Sequence, residues 1–360
     1  MDWGNELTQL LNVKYPIIQA PMLGVATPEM VAAASRAEVL GSLPLGDLPA
    51  QDCKAEIQKT KAISKQPFAV NIFVHKLPEL NNSLRKDYKE TRKFLEKLAR
   101  EHHLEVDFPL LEEIKLTDYH YQVDAIIEEE VKIVSFTFGN LDAESIEKLK
   151  RNKTILIGTC TSLKEAKELE DSGIDIICLQ GTGAGGHRGS FDQDDSSEID
   201  GFSILPEIYD KVKIPIIYAG GIHNAKTLLA TRDLGAQGFQ VGSLLLGSKE
   251  SKLAEFAKER LREAKKEELI LTKSFSGRYA RGINNTFMKA MEASGNILPY
   301  PYQNKLTKAL RKSANTNQNT EFLSLWTGQA LPGFSGNSTT DILKHLISEV
   351  NNYKPKPQIN

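Results

Sequence analysis

Cysteine is scarce in this chain: three among 360 residues, at Cys53, Cys160 and Cys178. They are odd in number, far apart and outside any Cys-x-x-Cys spacing. That excludes a disulfide framework and points to reduced thiols in a cytoplasmic protein. Long apolar runs are missing too. None approaches the roughly 20 residues that a helix needs to cross a bilayer. The opening segment Met1-Asp2-Trp3-Gly4-Asn5-Glu6 is acidic and has no apolar core, so no signal peptide is expected. An excess of charge of one sign is also lacking. The formal net charge of −2 offers no general attraction to nucleic acid or to an anionic membrane. Metal patterns fail as well. Asp192-Gln193-Asp194-Asp195 has the charge of a calcium loop without its mid-loop glycine and final glutamate. His102-His103 has no partner at metal spacing, so no metal is expected.

What is present is alternation. Short β-rich apolar runs occur at Pro16–Met22, Val39–Leu45, Phe68–Phe73, Lys132–Phe138, Thr154–Cys160, Asp175–Gln180, Pro215–Ala219 and Gly238–Val241. Each is followed by a segment with helical spacing. Ser162–Ser172 turns Leu163, Ala166 and Leu169 to one side, and Gly173 ends it as a C-cap should. Runs such as 176–179 and 215–219 are apolar on both faces, the mark of parallel strands covered on both sides. Eight such units predict an α/β fold, the (β/α)8 TIM barrel. A doubly wound sheet would carry its phosphate fingerprint in the first βα turn, whereas the glycines here cluster in the last three units.

The barrel is expected over residues 1–250, with two additions. Lys76–Glu130 reads as a helical insertion after strand 3, in which Leu84, Tyr88, Thr91, Leu95 and Leu98 form one stripe. The stripe suits packing on the side of the barrel, a substrate lid or a homodimer contact. Residues 251–360 read as a C-terminal extension that packs on the barrel mouth. It opens with a charged helix at Ser251–Glu268, and Ser313–Thr320 reads as a solvated loop.

Chemistry concentrates where strands end. In such barrels the active site lies on the loops after the strands, with phosphate often bound after strands seven and eight. Here those loops are Ala219-Gly220-Gly221-Ile222 and Gln240-Val241-Gly242-Ser243. Glycine lets backbone N–H groups approach phosphate oxygens with no Cβ between. Ser243 adds a hydroxyl and is expected to begin a helix whose N-terminus favours an anion. The sixth unit adds Gln180-Gly181-Thr182-Gly183-Ala184-Gly185-Gly186-His187-Arg188-Gly189, a loop whose glycines cost entropy unless something orders them. His187 is the candidate acid–base or hydrogen-bonding group. Asn71 and Gln180 end their strands with an amide at the mouth, suited to the edge of a flavin ring. Gln19-Ala20-Pro21-Met22 would bring backbone to the same ring.

Taken in order, Gln19–Gly24, Asn71–Phe73, Gly183–Gly189, Ala219–Ile222 and Gln240–Ser243 resemble the nitronate monooxygenases, formerly called 2-nitropropane dioxygenases. Phe275–Gly282 and Leu325–Gln329 look like the bacterial class I branch. The resemblance spans nearly the whole chain. It implies FMN as cofactor and oxidation of alkyl nitronates by O2 to a carbonyl compound and nitrite. Propionate 3-nitronate, a natural toxin, is the substrate it suggests. By position, Asn71, Gln180, Gly185, Gly186, Gly220, Gly221 and Gln240–Ser243 would bind FMN, and His187 would face the reacting carbon. Gly183 departs from the family, which often has an acidic residue there. Arg278 and Arg281 are candidates for a substrate carboxylate, with structural roles as the alternative. Tyr300 and Tyr302 either wall the pocket or pack the core. Two other functions stay open: an FMN- and NADH-dependent enoyl reductase, which rapid bleaching by NADH would favour, and a non-catalytic flavin-binding barrel.

Overall fold

The computed structural model describes residues 2–195 and 199–355, so Met1 and the outer end of the expected 251–360 tail lie outside the described residues. The strands are β1 (Ile17–Gln19), β2 (Gly41–Gly46), β3 (Phe68–Phe73), β4 (Ile133–Thr137), β5 (Ile155–Cys160), β6 (Ile176–Gln180), β7 (Gly186–His187), β8 (Ile216–Ala219), β9 (Gly238–Val241), β10 (Leu269–Thr272) and β11 (Ala280–Ile283). Eight of them form one parallel sheet in the order β1-β9-β8-β6-β5-β4-β3-β2. The ends meet through a parallel bridge between Ile18 and Leu40. Gln19, wholly buried, strengthens that seam with its side chain. Its amide accepts from Ser42 N at 3.0 Å and donates to Ser42 O at 3.2 Å. The sheet is therefore a (β/α)8 barrel, as the alternation predicts.

Period-two alternation decides which side chain faces which core. In β6, Ile177 and Leu179 point outward into the strand–helix layer. Ile176 and Cys178 point inward, joining Ile18, Ala69, Ile133, Ile157 and Ile217. Leu7 and Leu11, from α1 (Glu6–Leu11), belong to that inner cluster too.

The helices are α2 (Pro28–Arg36), α3 (Ala50–Ile63), α4 (Asn82–Glu101), α5 (Tyr119–Glu128), α6 (Ala143–Arg151), α7 (Leu163–Asp171), α8 (Gly201–Lys211), α9 (Ala225–Asp233), α10 (Glu255–Glu263), α11 (Thr286–Ser294), α12 (Tyr302–Thr316) and α13 (Thr339–Asn351). Many starts are written in the sequence. Thr27, Asn81, Asp142, Ser162 and Asn224 each accept a backbone N–H as an N-cap.

Five expectations need adjustment. First, α5 lies inside 76–130 yet packs on α3 and β3, so it is a barrel helix and the true insertion is shorter. Second, the α4 stripe of Leu84, Tyr88, Leu95 and Leu98 packs with α10, α11 and α12 in a core of its own, a cap separate from the barrel side. Third, the tail does not all sit on the mouth. α13 returns to pack on α2 and α9 and takes the place of the eighth barrel helix. The cap is therefore an excursion between the last strand and the last helix. Fourth, Ser313–Thr320 is half helix. α12 runs to Thr316 because Leu306, Leu310 and Ala314 are buried on one face, which outweighs the poor helix propensity of Ser, Asn and Thr. The charged helix is also shorter than 251–268, ending at Glu263 before a 3-10 turn at Lys266–Glu268.

Candidate active site

A cavity of about 920 Å³ lies where the strands end, between the barrel mouth and the cap. Ala20, Pro21 and Met22 line it from the β1 loop, and Asn71 and Gln180 from strand ends. Gln19 does not, because its amide is committed to closing the barrel.

The two glycine turns come together because β8 and β9 are neighbours in register, with Ala219 opposite Gln240. Gly220, Gly221, Gln240, Gly242 and Ser243 all line the cavity. Gly221 has φ +70°, and a Cβ built there meets nothing within 4 Å, so its missing side chain leaves open space. Ser243 Oγ accepts from Gly328 N at 2.9 Å, which leaves its own proton for a ligand. Val241 is wholly buried in the strand–helix core and lies outside the lining. The helix expected to begin at Ser243 is only a 3-10 turn, Ser243–Leu245, because the chain leaves there for the cap. Any anion would therefore rest on backbone N–H groups and the Ser243 hydroxyl. These residues fit a phosphate-bearing flavin.

The glycine loop after β6 is ordered by the cap. His187 and Gly186 form β7 and pair with Ala280 and Arg281 of β11. Gln329 N donates to Gly183 O at 3.1 Å. Gly185 passes so close that a Cβ would sit 2.4 Å from Gly328 N. Gln180 braces the loop from below. It donates to His187 O at 2.9 Å and accepts from Gly189 N at 2.8 Å and Arg188 Nη1 at 3.2 Å. That ties its Oε1, which the sequence reading reserved for the flavin edge.

His187 lines the cavity between Phe138 and Trp326, with ring centroids 5.6 and 5.8 Å away. Its Nε2 lies 2.8 Å from Ser276 Oγ. Burial, reinforced by Arg278 and Arg311, lowers its pKa to about 3, so the ring is neutral at neutral pH. Phe138 holds φ +82°, a conformation that costs a bulky residue of order 1–3 kcal/mol. The Arg278 guanidinium stacks on it at 4.3 Å from the ring centroid.

On the floor, Asn71 donates to Ser135 Oγ at 2.9 Å and Thr137 Oγ1 at 3.3 Å, so its carbonyl oxygen stays available. Cys178 also lines the cavity, but burial pushes its thiol up to about 12, which leaves it inert. No group of side chains that could hold a metal occurs among the described residues.

The expected substrate arginines are elsewhere. Arg278 is buried and donates to Ser190 O and Phe191 O, each at 3.0 Å. Arg281 is buried on β11 and donates to Thr182 O at 3.2 Å. Neither lines the cavity, nor does Tyr302, which packs in the cap core. Tyr300 does line it. Of the cations that line the cavity, Lys59 comes from α3 and Lys252 from the loop after β9, while Lys305, Lys308 and Arg311 come from α12, which the sequence reading missed. Asn304, Lys308, Arg311 and Asn315 form one polar face of that helix on the cavity wall. Their spacing of four, three and four residues was a readable signal. Lys305 also faces the cavity but is paired with Asp47 at 2.6 Å. Ser276 and Trp326 were likewise missed as partners of His187.

Paired glycine turns beside a cavity at the barrel mouth suit a flavin-dependent oxidoreductase. The nitronate monooxygenase signature matches residues 5–349. A probable nitronate monooxygenase of Staphylococcus haemolyticus is 36% identical over 354 residues, covering 97% of this chain and 98% of that one. The structure of a nitroalkane oxidase from Streptomyces ansochromogenes superposes with a TM-score of 0.87 at 30% identity, covering 96% and 98% of the two chains. The chain belongs to the nitronate monooxygenase family. FabK from Thermotoga maritima, at 23% identity and a TM-score of 0.75 over 97% and 96% of the two chains, shares the fold. No helix among the described residues is long and apolar enough to cross a membrane.

Proposed function

We propose that this chain binds FMN and oxidises alkyl nitronates with O2 to a carbonyl compound and nitrite, a detoxification in the cytoplasm. Propionate 3-nitronate is the substrate that fits best. The observation that carries the reading is the meeting, in one cavity, of the paired glycine turns, His187 and the cationic face of α12.

The residues divide the work. Backbone N–H groups of Gly221 and Gly242, with Ser243 Oγ, would hold the single phosphate of FMN, while the Asn71 carbonyl and Gln240 would meet the ring edge. Bound there, the flavin supplies the electron acceptor that the chain lacks. A nitronate is already a carbanion equivalent, so the protein has to hold the anion and exclude water more than to activate it. Arg311 suits the far carboxylate of a substrate such as propionate 3-nitronate. Its Nη2 donates to Asn304 O and Oδ1, both at 2.8 Å, and its Nε to Thr307 O at 3.4 Å, which leaves Nη1 to donate to a carboxylate. Lys308, one turn earlier and exposed, adds a charge that attracts anions at the mouth.

The test is a spectrum of the purified protein, then propionate 3-nitronate under air. The reading expects flavin absorbance, FMN released on heating, O2 uptake and nitrite. Rapid bleaching by NADH without nitrite would place the activity with the enoyl reductases. Flavin with no turnover of either would leave a binding barrel.

A further inference from the structure

We propose that His223 is a positioning residue for the cofactor's phosphate, whose ring holds the Gly221 carbonyl back and so keeps the Ile222 N–H aimed at that phosphate. The inference rests on the phosphate-bearing flavin of the reading above and adds a residue to its site.

His223 stands two residues past Gly221 in the turn after β8, and it lines the cavity with Gly220, Gly221 and Ile222. Its Nδ1 lies 2.8 Å from Gly221 O. A carbonyl oxygen only accepts, so Nδ1 carries the proton and donates. Nε2 is then a lone pair, and Asn224 Nδ2 donates to it at 3.0 Å. The Asn224 amide is not free to turn over for the other tautomer. Its Oδ1 accepts from Thr227 N at 3.0 Å as the N-cap of α9. His223 N in turn donates to Thr227 Oγ1 at 3.1 Å. The ring, the amide and the first turn of α9 thus form one frame in which each group has a single role.

A histidine beside an anion site invites a role as direct donor to the phosphate. In this frame both ring nitrogens are taken up within the chain, so the ring acts through the backbone instead. The peptide between Gly221 and Ile222 is trans and planar, and its C=O and N–H therefore point in opposite directions. Holding the carbonyl on His223 fixes the Ile222 N–H on the side away from the imidazole. Neither Gly221 N nor Ile222 N meets a backbone acceptor among the described residues. Successive open N–H groups at a cavity wall are what the oxygens of an anion need.

The turn has little stiffness of its own. Gly220 and Gly221 hold φ of +131° and +70°, values that glycine adopts among many others. Without the bond from His223 the Gly221–Ile222 peptide can rotate, and the two donors no longer converge. His223 thus supplies preorganisation that the glycines cannot. The flavin ring lies beyond its reach, so its effect should follow the phosphate alone.

The experiment uses the flavin-loaded full chain. It is dialysed to equilibrium against graded FMN or graded riboflavin, the same ring without the phosphate, and the bound absorbance gives each Kd. The parent should prefer FMN. His223→Ala and His223→Phe should each weaken FMN about tenfold, the usual effect of losing one hydrogen bond, and leave riboflavin within about twofold. His223→Asn should recover most of the loss, because its Nδ2 stands as many bonds from Cα as the imidazole Nδ1. The phosphorus-31 resonance of bound FMN should move in the Ala and Phe variants and return toward the parent's in the Asn variant. Equal weakening of FMN and riboflavin would reduce His223 to a structural role and overturn the proposal. Parent-like FMN affinity in a folded Ala or Phe variant would overturn it too. Nitrogen-15 NMR of labelled histidine in the parent, assigned with His223→Asn, should place the His223 proton on Nδ1 near pH 7. A proton on Nε2 alone overturns the proposal without recourse to the stability of any variant. A parent that binds FMN no tighter than riboflavin would overturn the phosphate reading, and this inference with it.

Discussion

The barrel and the cap solve the same problem, an apolar core closed off from water, with opposite kinds of sequence. The barrel draws its core from consecutive units, each strand followed by the helix that covers it, so its contacts are regular and mostly between neighbours. The cap draws its core from segments far apart in the chain: α4 from the third loop, and α10, α11 and α12 from the excursion after β9. The difference is also functional. The barrel contributes the glycine turns that suit a cofactor shared across many enzymes. The cap contributes what would choose the substrate and set the chemistry, namely Arg311, Lys308, Ser276 and Trp326.

The comparison can be broken most severely at the cofactor. Gly221→Val should abolish flavin retention while circular dichroism stays that of the parent. The side chain would enter the open space beside the turn, at a φ of +70° that a β-branched residue resists. Gly242→Val should act alike, since its Cβ position already lies 3.4 Å from Ala20 Cβ. Full flavin occupancy in both would put the phosphate elsewhere.

Next in size is His187→Ala, a change in the barrel loop that the cap positions. It should keep the flavin and lose about 10²–10³ in turnover of the nitronate, the usual effect of removing one preorganised polar group. Parent-like rates in a flavin-loaded variant would remove His187 from the mechanism.

Two cores can be separated by stability. Leu95 in the cap and Leu169 in the barrel are both wholly buried. Truncating either to Ala should cost about 2–5 kcal/mol. Hydrogen exchange should show Leu95→Ala loosening the cap with barrel strands still protected, whereas Leu169→Ala weakens the barrel. Equal loosening everywhere would mean that cap and barrel unfold as one unit.

Arg311→Gln tests the cap as selector. KM for propionate 3-nitronate should rise about tenfold or more, with little change for ethylnitronate, which has no carboxylate to pair. A parallel change on both would deny Arg311 a part in selection.

The smallest effect concerns acid. His75 is half-buried, with both ring nitrogens enclosed and without a hydrogen-bond partner, and desolvation lowers its pKa from 6.5 to about 4. His187 is lowered to about 3. In each case the unfolded chain binds the proton first as pH falls. Stability should therefore hold above about pH 6.5 and decline from there toward pH 4 and below. In His75→Leu, thermal midpoints between pH 7 and pH 4.5 should fall less than in the parent. Identical slopes would mean that other groups dominate the acid loss.

Much of the barrel was legible because its signals are local. Apolar runs, N-caps such as Ser162 and Asn224, and the turns after β8 and β9 each state their role within a few residues. The errors share one cause. Gln19 looked like a ring contact and instead sews β1 to β2, because its partner Ser42 lies on another strand. Arg278 and Arg281 looked like carboxylate binders, yet buried carbonyls 88 and 99 residues away claim them. A guanidinium has the same donors for either task, and only position separates the two.

The sequence by itself determined the alternation that makes a barrel, the loops that carry its chemistry and the one histidine set among glycines, because each depends on the periodicity or backbone freedom of adjacent residues. The tertiary structure alone decided how those pieces are used. It returned α13 to the barrel, laid α12 along the cavity and brought Ser276 to within 2.8 Å of His187. That imidazole meets a hydroxyl 89 residues away, and no local pattern records such a contact.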